Sequence, residues 1–283
     1  MDSLSLKILP WNGHKAALSL TFDDGVPAHW EIAAPALERR GLRGTFFVVA
    51  GRSQDQQGWK RLVEGGHEVA NHSISHKRTK DLGPGEDVRQ VAEAKAALER
   101  ILKVPIHTFA YPFTETTPGL KEAAQAHHFL SRGGQGRYYW APQEDPDWSE
   151  VPSQVAMSSF PLSTYEKWVQ ETYRQESWTI FQLHGIEGGG EGWQPMPRAV
   201  FDGLLDLIAS QKDKIWVAPF AEVGAYWKAQ KIIEKALADA FPGRPIAWKR
   251  PDPFPAGVIL KALWKGSPLS VPFDTGALPL GLL

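Results

Sequence analysis

The chain has no cysteine among its 283 residues. That excludes disulfides, thiolate metal sites and a cysteine nucleophile, and it leaves the compartment open, because a domain of this size can be exported without cross-links. An excess of either charge is also missing: 31 basic residues stand against 32 acidic ones, for a net charge of −1 with no long run of one sign. Nucleic acid and anionic membrane surfaces call for such runs, so neither is expected as a partner. No apolar stretch reaches the length of a membrane span, and the opening "MDSLSLKILPWNGHKAALSL" has no basic segment leading into an apolar one. The chain reads as soluble, with any export signal absent or removed, so localisation stays open between exported and cytoplasmic. Oligomeric state is not encoded in these features. The G-x-S-x-G elbow, the phosphate-binding glycine loop and the dinucleotide fingerprint are missing as well.

What is present is an alternation. Short runs rich in β-branched or aromatic residues recur at 17–22, 45–50, 67–70, 107–111, 127–130, 178–183 and 214–218. Between them lie helical patterns at 28–40, 56–65, 86–102, 118–126, 163–176, 197–211 and 220–238, which together predict a parallel α/β sheet, open or closed into a barrel. "STYE" at 163–166 reads as a capping box, Pro197 suits a first helical turn, and Pro35 predicts a kink or a late start in the first helix. The texture changes near residue 239: eight of the 22 prolines fall beyond it, which predicts a catalytic unit over 1–238 and a Pro-rich appendage over 239–283.

In parallel α/β folds, functional groups gather at the carboxyl ends of the strands. Asp23 and Asp24 stand just past the end of the first predicted strand, where a bland turn is the alternative. His72 and His76, four apart, follow the third predicted strand with the spacing of two ligands to one metal. Two histidines and a carboxylate without cysteine match an open catalytic site, for which zinc is the default metal and cobalt, nickel or manganese suit similar donors. His184, in "FQLHGI", ends the sixth predicted strand and is the candidate proton donor. His67 lies on a strand and is expected to pack. Twelve tryptophans and six tyrosines lean toward sugar faces. Trp193, in the glycine-rich stretch "EGGGEGW", is one placed to touch a sugar.

"LTFDDG", "HSISH", "FAYPFTE" and "LHGI" resemble the successive motifs of the polysaccharide deacetylase family, carbohydrate esterase family 4 (the NodB-homology domain), over roughly residues 14–228. The resemblance implies a distorted (β/α) barrel of about seven parallel strands, here followed by an irregular C-terminal appendage. It implies a divalent cation held by Asp24, His72 and His76, Asp23 as general base, His184 as general acid, and the amide of Phe113 as oxyanion donor. Tyr111, Leu183, Trp148 and Trp193 are the further substrate contacts it suggests. The expected reaction is hydrolysis of an acetyl group from an N- or O-acetylated carbohydrate of chitooligosaccharide, peptidoglycan or acetylxylan type. Asp23 and Asp24 can then stand side by side because a cation neutralises one of them.

Three positions depart from that pattern. An arginine that orients the base is replaced by Ala110, with Phe113 where tyrosine is usual; Arg132, past the fifth predicted strand, is the expected substitute. The motif supplying a tryptophan and a carboxylate that tunes the acid histidine is matched only by "EDPDW" at 144–148. A leucine lining the acetyl pocket is replaced by Gln182, with Leu183 adjacent. The alternatives are hydrolysis of another C–N bond (amide, formyl or ureide) on the same scaffold, or a non-catalytic carbohydrate-binding protein.

Overall fold

A computed structural model describes residues 6–134, 138–190, 192–240 and 245–278. The strands in chain order are β1 (Leu6–Ile8), β2 (Ala16–Asp24), β3 (Thr45–Val48), β4 (Glu68–Asn71), β5 (Thr108–Ala110), β6 (Leu130–Arg132), β7 (Gln154–Val155), β8 (Trp178–Leu183), β9 (Ile215–Val217), β10 (Ile259–Trp264) and β11 (Ser267–Pro272). Seven parallel strands of three residues or more, β2–β6, β8 and β9, curl into a distorted barrel in the order β6-β5-β4-β3-β2-β8-β7, with β9 also on β2. Chain segment 148–155 nearly closes it. Val151 bridges Arg132 at the β6 edge, and three residues later β7 pairs with Phe181 and Gln182 of β8.

Strand side chains alternate between two cores, as the period of two requires. Leu18, Leu20, Phe22 and Phe181 pack outward with Leu62, Leu98, Phe201 and Leu204 of the surrounding helices. Ala17, Phe47, Ala70, Trp178 and Ile180 pack on the other side with Phe220, Val223 and Trp227. Those three come from helix Phe220–Ala238, whose first half is buried on nearly all sides. Gly224 permits its approach: a Cβ there would lie 2.3 Å from Leu130 Cδ2.

Helices form close to their predicted spans, with local differences. The first begins as a wide turn over His29–Ala33, with Ala34 N–H donating to His29 O, and continues as Ala34–Glu38 around Pro35. "STYE" makes no capping box. Helix Leu162–Arg174 starts one residue earlier, after Pro161, which puts Ser163 inside the first turn. Pro197 stands at the cap, one residue ahead of Arg198–Ser210.

Beyond residue 239 the chain is more regular than its prolines suggest. β10 and β11 form an antiparallel hairpin, β10 pairs with β1, and Leu260, Ala262, Val271 and Phe273 join the core containing Tyr226 and Trp227.

Candidate active site

Four parallel strands deliver the polar residues to one rim. Asp23 and Asp24 end β2, His72 follows β4, Arg132 ends β6, and His184 follows β8. The turns leaving these strands are tight. Five of the eleven described non-glycine residues with positive φ are here: Asp24, Ser73, His76, Phe113 and Thr114. Such backbone costs on the order of 1–3 kcal/mol per residue and persists only where surroundings enforce it. Gly25 shows one such constraint, since it has φ +65° and a Cβ would sit 2.9 Å from Val48 Cβ.

Side-chain hydrogen bonds hold the histidine turn. Asn71 Nδ2 donates to Val91 O, Ser73 N–H donates to Asn71 Oδ1, and His76 N–H donates to Ser73 Oγ, at 2.9 Å each. His72 Nδ1 donates to Ala110 O at 2.8 Å, which fixes the tautomer and leaves the Nε2 lone pair free. That Nε2 lies 3.9 Å from Asp24 Oδ1, and His76 Nε2 lies 3.2 Å from it. One atom from each of Asp24, His72 and His76 falls within 4.8 Å of the others. Burial pushes His72 down to about 3 and lowers His76, which keeps both imidazoles in the neutral, ligating form. Asp24 is pushed up by burial and by the neighbouring Asp23. Two neutral imidazole nitrogens and a carboxylate oxygen that converge in this way fit a divalent cation.

Asp23 is almost fully buried, at 1% exposure, and lies on a different network. Arg132 Nη2 meets both its oxygens at 2.5 Å, and Gln182 Nε2 donates to Oδ2 at 2.9 Å. Ser153 closes the ring, its hydroxyl donating to Gln182 Oε1 at 2.8 Å and accepting from Arg132 Nη1 at 3.1 Å. Burial alone would raise the Asp23 pKa. Arg132, with His72 and His184, outweighs it and holds the group at about 2. Arg132 and Ala110 are register partners across β5 and β6, so the cation stands at the same height as the alanine, one strand over.

His184 Nε2 lies 3.7 Å from Asp23 Oδ2, and burial lowers its pKa. Its Nδ1 is buried without a hydrogen-bond partner among the described residues, so none of their carboxylates bonds that nitrogen. The rim encloses a cavity of about 760 Å³ whose lining includes Asp23, Asp24, His72, His76, His184, Gln182, Phe113 and Trp193. Phe113 packs on His76 at 4.6 Å between ring centroids, and the half-exposed Trp193 packs on His184 at the same distance. Glu191, in the same glycine-rich stretch, lies outside the described residues.

Three expected substrate contacts lie elsewhere. Leu183 points into the helix-facing core because it neighbours Gln182 on a strand, and adjacent strand residues face opposite sides. Tyr111 is buried with Phe109 and Leu120, its hydroxyl donating to Ser149 O at 2.8 Å. Trp148 packs on Trp227, ring centroids 5.0 Å apart, and its Nε1–H donates to Asp145. His67 packs as expected, with Nδ1 accepting from Gly44 N–H. Ser153 and Arg52, absent from the expected set, also reach this region; neither sits in a recognisable local pattern.

Residues 12–130 match the polysaccharide deacetylase family profile. A chitooligosaccharide deacetylase of Sinorhizobium fredii is 36% identical over 96 residues, covering 33% of this chain and 45% of the relative. A gellan lyase of a Bacillus species is 24% identical over 233 residues, 74% of this chain but 9% of that protein. The chain therefore spans less than half the length of these curated relatives. Among solved structures, the family 4 acetyl xylan esterase from Clostridium thermocellum, in complex with cobalt, superposes with a TM-score of 0.53 at 21% identity, covering 73% of this chain and 89% of that one. The family 4 carbohydrate esterase from Streptomyces lividans, in complex with acetate, gives 0.51 at 19%, covering 71% and 91%. At such identities these likenesses speak for the fold. The strand-end motifs and the profile match over residues 12–130 together make the chain similar to the polysaccharide deacetylase family.

Proposed function

We propose that this protein is a metal-dependent hydrolase that removes acetyl groups from an N- or O-acetylated carbohydrate. The observation that carries the reading is the pairing of two sets on one rim: the neutral-imidazole and carboxylate donors Asp24, His72 and His76, and the Arg132-clamped Asp23 facing His184. A divalent cation held by the donor set, zinc by default, supplies Lewis-acid chemistry that acidifies water and polarises a carbonyl.

Around it, the chain's own residues divide the work. Asp23, ionised at neutral pH, takes the proton of the attacking water through Oδ2, the oxygen nearer both His72 and His184. Arg132, Gln182 and Ser153 keep that carboxylate in one orientation. The Phe113 amide stabilises charge developing on the acyl oxygen. His184 delivers a proton through Nε2 to the departing amine or alcohol, and the Phe113 and Trp193 rings flank the sugar.

A second reading draws on Gln182, whose amide stands at the cavity in place of an apolar wall; it is hydrolysis of a formyl, ureide or other amide bond. Stripping the protein with chelator and restoring single divalent metals distinguishes them. Metal-restored acetate release from acetylated chitooligosaccharide, acetylxylan or peptidoglycan fragments supports the first. Stoichiometric metal binding without acetate release, but with turnover of formyl or ureide substrates, replaces it with the second.

A further inference from the structure

We infer that Arg52 binds a carboxylate on the acylated sugar, so that the substrate is an anionic saccharide. This rests on the hydrolase reading above and adds a substrate class to it. Three arginines stand at or behind the cavity, and two are committed. Arg132 is bound to Asp23 at 2.5 Å, and Arg78 is bound to Glu115 at 2.5 Å while its guanidinium lies 4.0 Å from the centre of the Phe113 ring.

Arg52 also lines the cavity and is half-buried, but among the described residues the one hydrogen bond of its guanidinium runs from Nη1 to the Asp24 carbonyl at 2.8 Å. Among the described residues no carboxylate lies within ion-pairing distance of it. A guanidinium carries five N–H donors, and withdrawing it from water without a counter-ion is unfavourable. A planar carboxylate meets the fork of a single arginine in two parallel bonds. A phosphate ester would call for more than one free cation, and among the described residues this cavity offers one. The bond to Asp24 fixes where the anion must be. Its position beside the candidate metal donors requires the carboxylate to lie on the sugar that bears the acyl group or on the adjoining one.

Two sugar carboxylates meet this description: that of a uronic acid ring and that of a lactyl ether. The test compares kcat/KM, with metal restored, for acetylated trigalacturonide against its methyl ester, and for an N-acetylglucosaminyl–N-acetylmuramoyl disaccharide against its methyl ester. The inference expects a charged-over-ester ratio of about ten or more in one arm, which names the source. The ratio should fall to near one in Arg52→Gln and be partly restored in Arg52→Lys. Using the ratio cancels any loss common to both substrates when the Asp24 carbonyl loses its donor. A wild-type ratio near one in both arms, or a ratio unchanged in Arg52→Gln, overturns it. If no acetate is released from any substrate, neutral chitooligosaccharide included, the deacetylase reading fails separately. Calorimetric binding of the deacetylated charged and esterified forms then decides the inference alone: a preference for the charged form that depends on Arg52 upholds it, and equal binding overturns it.

Discussion

Two carboxylates at opposite ends of the barrel, Asp23 on β2 and Glu68 on β4, meet burial with different partners. Asp23 faces a guanidinium and two imidazoles and is held at about 2. Glu68 borders a second cavity of about 570 Å³ and accepts hydrogen bonds from neutral donors: Thr108 Oγ1 at 2.5 Å, Thr45 Oγ1 at 2.7 Å and Ala221 N–H at 2.9 Å. Burial raises its pKa. Its three partners tie β3, β5 and the start of helix Phe220–Ala238 together, which is the work of a fastener. The difference teaches that a buried carboxylate on this scaffold is kept ionised where a cation is built beside it, and that the cation was built at the end where the histidines converge.

The largest effect should come from the donor set. His72→Gln removes an imidazole whose Nε2 faces Asp24, and metal affinity, read by titration against a chelator, should fall by more than about a hundredfold, with turnover lost alongside it. Retained stoichiometric binding would show that Asp24 and His76 suffice.

Next is the cation of the Asp23 ring. Arg132→Met leaves a buried carboxylate unpaired and should lower unfolding free energy by about 3–5 kcal/mol in urea titrations. Adding Asp23→Asn should recover a large part of that loss. If the single variant is as stable as the parent, Asp23 is not kept ionised by Arg132.

Acid should weaken the metal-free protein through its packed imidazoles. Burial pushes His29 and His67 down to about 4. Their folded pKa values lie below the unfolded value of about 6.5, so the stability they contribute is present above pH 6.5 and is lost as pH falls through about 4. The slope should be on the order of 1 kcal/mol per pH unit for each, and a flat unfolding profile over that window would contradict their burial as neutral groups. Asp23 adds a later loss, as pH falls through about 2.

The smallest effect marks the opposite end. Glu68→Gln keeps an acceptor for the Ala221 amide and should cost about 1 kcal/mol or less, with acetate release unchanged. Since the Glu68 pKa is raised, its ionisation weakens the fold as pH rises through the folded value, and the variant should lose that slope. A variant that folds normally yet loses activity would give that end of the barrel a role in function.

Much of this architecture is legible in the residues because parallel strands buried on both faces read as short apolar runs, and β2, β8 and their companions fall where those runs do. The small sheet was not legible. β1 pairs with β10 across more than 250 positions of chain, and no local pattern in "LKI" points to "ILKALW". β7 is two residues long and owes its pairing to neighbours. At the site, strand-end aspartates and histidines are visible as motifs, and the exchange of Ala110 for Arg132 is visible as a missing charge. The bond from Gln182 to Asp23 is not, because the same residue would read as a polar cavity wall until strand register sets it beside the carboxylate. Trp148 shows the converse: a tryptophan in an acidic turn gives the same local signal whether it faces the cavity or, as here, Trp227.

Whether the Arg132-clamped carboxylate is the base is read from Asp23→Asn reconstituted with one equivalent of zinc and assayed for acetate release beside the parent protein. Equal metal content in the two is expected, with turnover at least about a hundredfold lower in the variant. Equal metal content with undiminished acetate release would contradict it.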